Sequence, residues 1–248
     1  MVWFLCETLC FLWLKTFMSI LENVSAVRER IAAAARRAGR RPDEVTLMAV
    51  SKTFPPEAVR EAYAAGLRVF GESRVQEFAG KAAALADLQE ARWHMIGHLQ
   101  TNKAAKAAEL FTAVDSVDSL RLAEKLNAAA RDLGKKLSVL LEINVGGEAA
   151  KSGISPDSPE LDALVQAAPE LGHLELRGLM TVPPYAENPE DARPYFRELR
   201  NLRDRISTRG LPLETLSMGM SHDFEVAIEE GSTCVRVGTA IFGEREKR

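Results

Sequence analysis

The feature that most constrains this chain is a change of hydrophobic period that recurs eight times from residue 45 onward. Eight short apolar runs stand out: VTLMAV (45–50), RVFG (68–71), WHMIG (93–97), FTAVD (111–115), LSVLLEINV (137–145), LELRGLM (174–180), ETLSMG (214–219) and TCVRVG (233–238). Between them, apolar residues return every three or four positions, the period of an amphipathic helix. Val75, Phe78, Ala82 and Leu85 are one such set, and Tyr195, Phe196, Leu199, Leu202 and Ile206 another. A further helical set, Val24, Val27, Ile31, Ala34 and Ala38, precedes the first run and is stopped by Gly39. Ser158-Pro159 and Asn188-Pro189 read as caps with proline at the first helical position. Strands alternating with helices build a parallel sheet. The nearly continuous apolar run at 137–145 fits a strand covered on both faces. Eight such units predict an α/β fold, a single (β/α)8 TIM barrel. The alternative is an open doubly wound sheet, whose usual G-x-G-x-x-G after the first strand is absent.

The first stretch, MVWFLCETLCFLWLKTF, does not belong to this pattern. Glu7 and Lys15 interrupt it as a spanning helix, and it lacks the basic start and small-residue cleavage site of a signal peptide. Met18 opens the amphipathic segment, so residues 1–17 are read as an extension outside the fold, and 18–248 as the domain. A peripheral membrane-associating segment is the alternative. A net charge of −3 does not suggest a field that attracts nucleic acid or anionic lipid. Cys6, Cys10 and Cys234 are too few for a disulfide framework, which fits a reduced, cytoplasmic setting.

In a barrel the chemistry sits where the strands end. The first strand ends in AVSK, and a lysine at the exit of an apolar strand is partly desolvated. That lowers its pKa and favours the nucleophilic amine; the plainer reading of Lys52 is an ammonium reaching solvent. After strand seven, Ser221 reads as the N-cap of the helix over 221–231. After strand eight, Gly238-Thr239-Ala240 makes a second tight turn with open amides. Barrels frequently bind phosphate between these two loops, although two ordinary small-residue turns would look the same. Arg236, two residues before Gly238, shares its face and needs an acceptor; the plainer reading pairs it with an acidic neighbour such as Glu142. His94 and His98 lack metalloprotease spacing; His94 fits better flanking a ring or hydrogen-bonding near the strand-three loop. Cys234 reads as core.

AVSK (49–52), FGESRVQE (70–77), WHMIGHLQTNK (93–103), EINVGGEAAKSG (142–153), RGLMTVPP (177–184), LSMGMSHDFEVAI (216–228) and VRVGTAIFG (235–243), in this order, resemble the pyridoxal 5′-phosphate homeostasis protein family. The resemblance runs from Met18 to Gly243. It implies a barrel like the N-terminal domain of alanine racemase, carrying pyridoxal 5′-phosphate (PLP). Lys52 would then form the Schiff base. Ser221, Gly238 and Thr239, with the Met220 backbone, would hold the phosphate, and Arg236 would face the pyridine nitrogen. His94 and Lys151, the latter in AKSG, complete the cofactor-binding set. The family commonly has asparagine where this chain has Ser73, which reaches less far and puts that ring contact in doubt.

Three function classes follow: a non-catalytic PLP protein that buffers or delivers the cofactor, a PLP-dependent racemase or decarboxylase, and a Schiff-base aldolase. The family match and the strand-one position of Lys52 argue against the aldolase. Racemisation needs acid/base groups on both faces of the cofactor, and of Tyr63, Tyr185 and Tyr195 only Tyr185 lies in a strand-end loop. An arginine at the ring nitrogen also disfavours its protonation and weakens the ring as an electron sink. A carrier is therefore expected, monomeric, with PLP-dependent apo-enzymes as candidate partners. A chain beginning at Met18 is predicted to match the full chain in thermal stability and in PLP occupancy. A large drop in melting temperature would show that residues 1–17 belong to the fold.

Overall fold

The computed structural model describes residues 19–148 and 152–244. Its eight strands are Thr46–Val50 (β1), Val69–Glu72 (β2), Arg92–Met95 (β3), Ala113–Val117 (β4), Leu137–Glu142 (β5), Leu174–Met180 (β6), Thr215–Met220 (β7) and Cys234–Val237 (β8). Each pairs in parallel with the next, and β8 returns to β1, closing a barrel in sequence order. The closing register runs from Thr46 opposite Cys234 to Ala49 opposite Val237. The (β/α)8 expectation is met, and the open sheet is excluded.

The helices are Ile20–Arg37 (α1), Pro56–Ala64 (α2), Val75–Ala82 (α3), Ala104–Leu110 (α4), Leu120–Asp132 (α5), Pro159–Ala167 (α6), Arg193–Ser207 (α7), Phe224–Glu229 (α8) and Thr239–Phe242 (α9). Their starts follow local chemistry. Ser19 and Glu22 form a capping box at α1, and Ser119 and Ser158 each accept an amide of the first turn of α5 and α6. Asn188 also caps, but it opens a 3₁₀ turn, Pro189–Ala192, that leads into α7.

The main core lies between the strands and the helices. Phe70 and Phe78 pack on Trp93 with ring centroids 5.0 and 4.8 Å apart, and Phe78 meets Phe111 at 5.0 Å. Phe111 corrects one expected boundary. It is the C-cap of α4 and faces this aromatic cluster, so β4 starts two residues later than its apolar run suggested. β5 also stops at Glu142; beyond it Ile143 makes one isolated bridge to Ile154. β3 ends before Gly97, where an added Cβ would strike the Ser73 carbonyl, so the two loops touch backbone to backbone.

Phe78 is fully buried at the junction of β2, β3, α3 and α4. Phe78→Ala is predicted to cost about 3–5 kcal/mol, the range for a large cavity in a packed core. Urea unfolding should show a lower midpoint with an unchanged slope.

Candidate functional site

The C-terminal ends of β1, β7 and β8 meet in one place. At β1 the chain turns over Ser51–Phe54. The Phe54 amide donates to the Ser51 carbonyl at 3.2 Å, with Lys52 and Thr53 as the central residues. Thr53 has φ +70°, a left-handed conformation that a β-branched residue adopts only under constraint. The constraint is visible. Lys81, one turn after Phe78 on the buried face of α3, donates to the Ser51 carbonyl at 3.0 Å and the Phe54 carbonyl at 3.3 Å. Glu77 accepts the Thr53 amide. Lys81 also pairs with buried Glu72 at 2.8 Å, and the Ser51 hydroxyl donates to Glu72 at 2.5 Å. Burial raises the Glu72 pKa above the ordinary carboxylate value, against the pull of Lys81 and of the Ser51 hydroxyl. Phe54 stacks on Phe242 of α9 with centroids 4.7 Å apart. Lys52 is therefore half-buried at the head of a turn pinned on both sides.

At β7 one expectation is corrected. Ser221 does not cap the following helix. Asp223 occupies that position, and its carboxylate takes the Met220 amide at 2.6 Å. The helix then begins only at Phe224, and the Met220 amide offered to a phosphate by the resemblance already has an acceptor. Ser221 turns sideways instead, and its hydroxyl accepts the amides of Gly238 at 3.3 Å and Ala240 at 3.4 Å. Ser221, Gly238 and Thr239 thus form one cradle between the β7 and β8 loops. A Cβ at Gly238 would lie 3.5 Å from Val50, an ordinary contact, which places this cradle beside the exit of β1.

Arg236, 4% exposed, lies below the cradle. It donates to the Ser217 carbonyl and hydroxyl at 2.7 and 2.8 Å and to the Thr181 carbonyl at 2.7 Å. The acidic partner of the plainer reading, Glu142, is thus replaced by neutral oxygens. Burial lowers its pKa, with Asp115, Glu142 and Asp223 among the carboxylates opposing that shift. Cys234 is core as expected, its thiol pushed up to about 12 by burial. His94 lies one residue before the end of β3, its Nδ1 3.1 Å from Asp115. Burial opposes the charged imidazole, but Asp115 outweighs it and the pKa is raised. His98 pairs separately with Asp118 at 2.9 Å. Lys151 lies outside the described residues, as do residues 1–17.

Sequence reasoning missed the groups that hold the site: Glu72, Glu77, Lys81, Asp115 and the Phe54–Phe242 stack. The Glu77–Lys81 spacing of four and the lone aspartate inside AVDSV were the available signs.

These residues fit PLP. A primary amine, a cradle of small residues with amide donors, and a buried guanidinium lie at adjoining strand ends. The comparisons agree with the fold and with the resemblance. The family described as alanine racemase, N-terminal domain, matches residues 23–246. The pyridoxal phosphate homeostasis protein of Aquifex aeolicus is 50% identical over 230 residues, 92% of this chain and 100% of that protein. This chain belongs to the pyridoxal phosphate homeostasis protein family. The Escherichia coli member is 45% identical over 231 residues, 92% of this chain and 97% of its own length. The structure of PipY from Synechococcus elongatus, with PLP bound, superposes with a TM-score of 0.80 at 38% identity, covering 91% of this chain and 100% of that one. Among the described residues no helix is long and apolar enough to cross a membrane.

Lys81→Met is predicted to destabilise the protein by about 3–5 kcal/mol, because it leaves the Glu72 charge buried without its partner. The double variant Lys81→Met/Glu72→Met should recover much of that loss in chemical denaturation. Equal losses in the single and double variants would show that the pair does not act as a unit.

Proposed function

We propose that this protein binds PLP and maintains its supply to PLP-dependent apo-enzymes, as a monomeric cytoplasmic carrier without turnover of its own. The observation that carries this reading is the adjacency of the Lys52 turn and the Ser221–Gly238 cradle. The cofactor's aldehyde supplies an electrophilic carbon to which a primary amine adds, and Lys52 is the amine at the mouth. The Ser51–Phe54 turn fixes where that amine stands. Ser221, whose hydroxyl takes the Gly238 and Ala240 amides, and the Thr239 amide at the start of α9 would receive the phosphate. Arg236, always charged and only a donor, would face an unprotonated ring nitrogen. That arrangement withholds the electron sink that carbanion chemistry needs, which supports a carrier over a racemase or decarboxylase. The name shared by the bacterial relatives supports the same reading. His94 would approach from β3 with its Nε2 edge, since Nδ1 belongs to Asp115.

The test is borohydride reduction of the PLP-loaded protein followed by peptide mapping. The expected label is on Lys52, and Lys52→Ala should lose the visible absorbance of the bound cofactor while keeping its fold. Label on another lysine of the unmodified chain would reject the assignment. Gly238→Ala adds a methyl group where space exists, so stability should hold. PLP affinity should fall about tenfold, or 1.4 kcal/mol, while affinity for pyridoxal without its phosphate changes little. Equal losses for the two ligands would remove the cradle from the phosphate site.

A further inference from the structure

Two buried side-chain oxygens among the described residues have no hydrogen-bond partner, Glu72 Oε2 and Glu142 Oε2. The first belongs to a carboxylate already held by Ser51 and Lys81 through its other oxygen. Glu142 has no such explanation. It is the last residue of β5, 9% exposed, and its register partner on β6 is Met180, which offers no polar atom. The charged groups around it come from three other strands. Arg236 of β8 directs its guanidinium to Ser217 and Thr181. Asp118 follows β4, and His98, in the loop after β3, is bound to Asp118. A carboxyl with one oxygen buried and unpartnered, set at the C-terminal end of a barrel strand, lies where ligands of this fold bind.

We propose that Glu142 is a further binding residue of the PLP site, its unpartnered oxygen reserved for a hydrogen bond to the bound cofactor. The inference rests on the PLP reading above and makes Glu142 a ligand contact rather than only an acidic neighbour of Arg236. Burial, reinforced by Asp118, pushes the Glu142 pKa up to about 7, with Arg236 and His98 pulling the other way. A substantial fraction of the groups therefore holds a proton at neutral pH and can donate it to an acceptor oxygen of the ligand. Above that pH the same group sets a negative charge beside a ligand that carries a phosphate. Binding is tightest below pH 7 and weakens as Glu142 ionises. Glutamine keeps a donor of the same reach and never ionises.

The experiment measures PLP dissociation constants of the full chain by absorbance titration at pH 6.0 and 8.5, for the parent and for Glu142→Gln. The expected result is that affinity falls on going to pH 8.5 by about tenfold more in the parent than in Glu142→Gln, from ionisation of one group. His98→Asn should retain the parent's extra dependence, which assigns it to the carboxyl and not to the imidazole. Infrared spectra of the PLP-free parent at pH 6.0 should show a protonated carboxyl band that is absent from Glu142→Gln and shifts when PLP is added. Parallel pH profiles in parent and variant, or a band unmoved by PLP, would overturn the proposal while leaving Lys52 labelling and the PLP reading intact. A parent chain that takes up no PLP at either pH would overturn both.

Discussion

Everything at the mouth of this barrel depends on β8 pairing with β1. Cys234 must lie opposite Thr46 and Val237 opposite Ala49 for the last turn of the chain to stand beside the first. That register sets Gly238 against Val50 and brings Phe242 onto Phe54. Parallel strands cannot be joined by a short turn, so this contact is reached only after all seven crossovers between β1 and β8 have been made. Lys52 and the Ser221–Gly238 cradle are separated by most of the barrel's sequence, yet the closing register makes them neighbours.

Around that contact the protein holds an uncomfortable backbone in place. Thr53 would leave its left-handed conformation if it were free to do so. Lys81 grips the carbonyls on either side of it, and Glu77 holds its amide. The cost is a buried ion pair whose desolvation is offset only because Glu72 and Lys81 remain together. A mobile Lys52 could serve as a surface lysine without such support. A fixed one needs it, and the network specifies a position more than it adds stability.

The architecture was legible because it is written in periods, 2 and 3.6, that survive in a single sequence. LELRGLM is β6 to the residue, and Ser158 caps α6 as its position beside Pro159 implies. Misreadings occurred where a side chain, rather than a period, decides. Phe111 looked like strand because it is apolar, but it ends α4 against Phe78. Ser221 looked like a cap because serine is a good one, but Asp223 lies two residues on and takes the Met220 amide. The residues of the proposed site were visible as reactive or polar groups at strand ends. Their supports were not, since nothing in the spacing of Ser51, Glu72 and Lys81 says that a barrel strand and a helix will bring them together.

The first helix is tied to the far end of the chain as firmly as the first strand. Arg30 and Arg37 of α1 pair with Glu225 and Glu229 of α8, and Arg40 donates to the Ile228 carbonyl, 188 residues away. On the ribosome, at about 5–20 residues per second, these partners are separated by about 10–40 seconds of synthesis. Throughout that interval the edge of β1 that β8 will pair is bare, and the part of α1 that α8 will cover is exposed. Such edges recruit other chains. Nascent copies of this protein therefore pass through a stage in which holdase chaperones have a surface to bind, and that stage ends when β8 emerges.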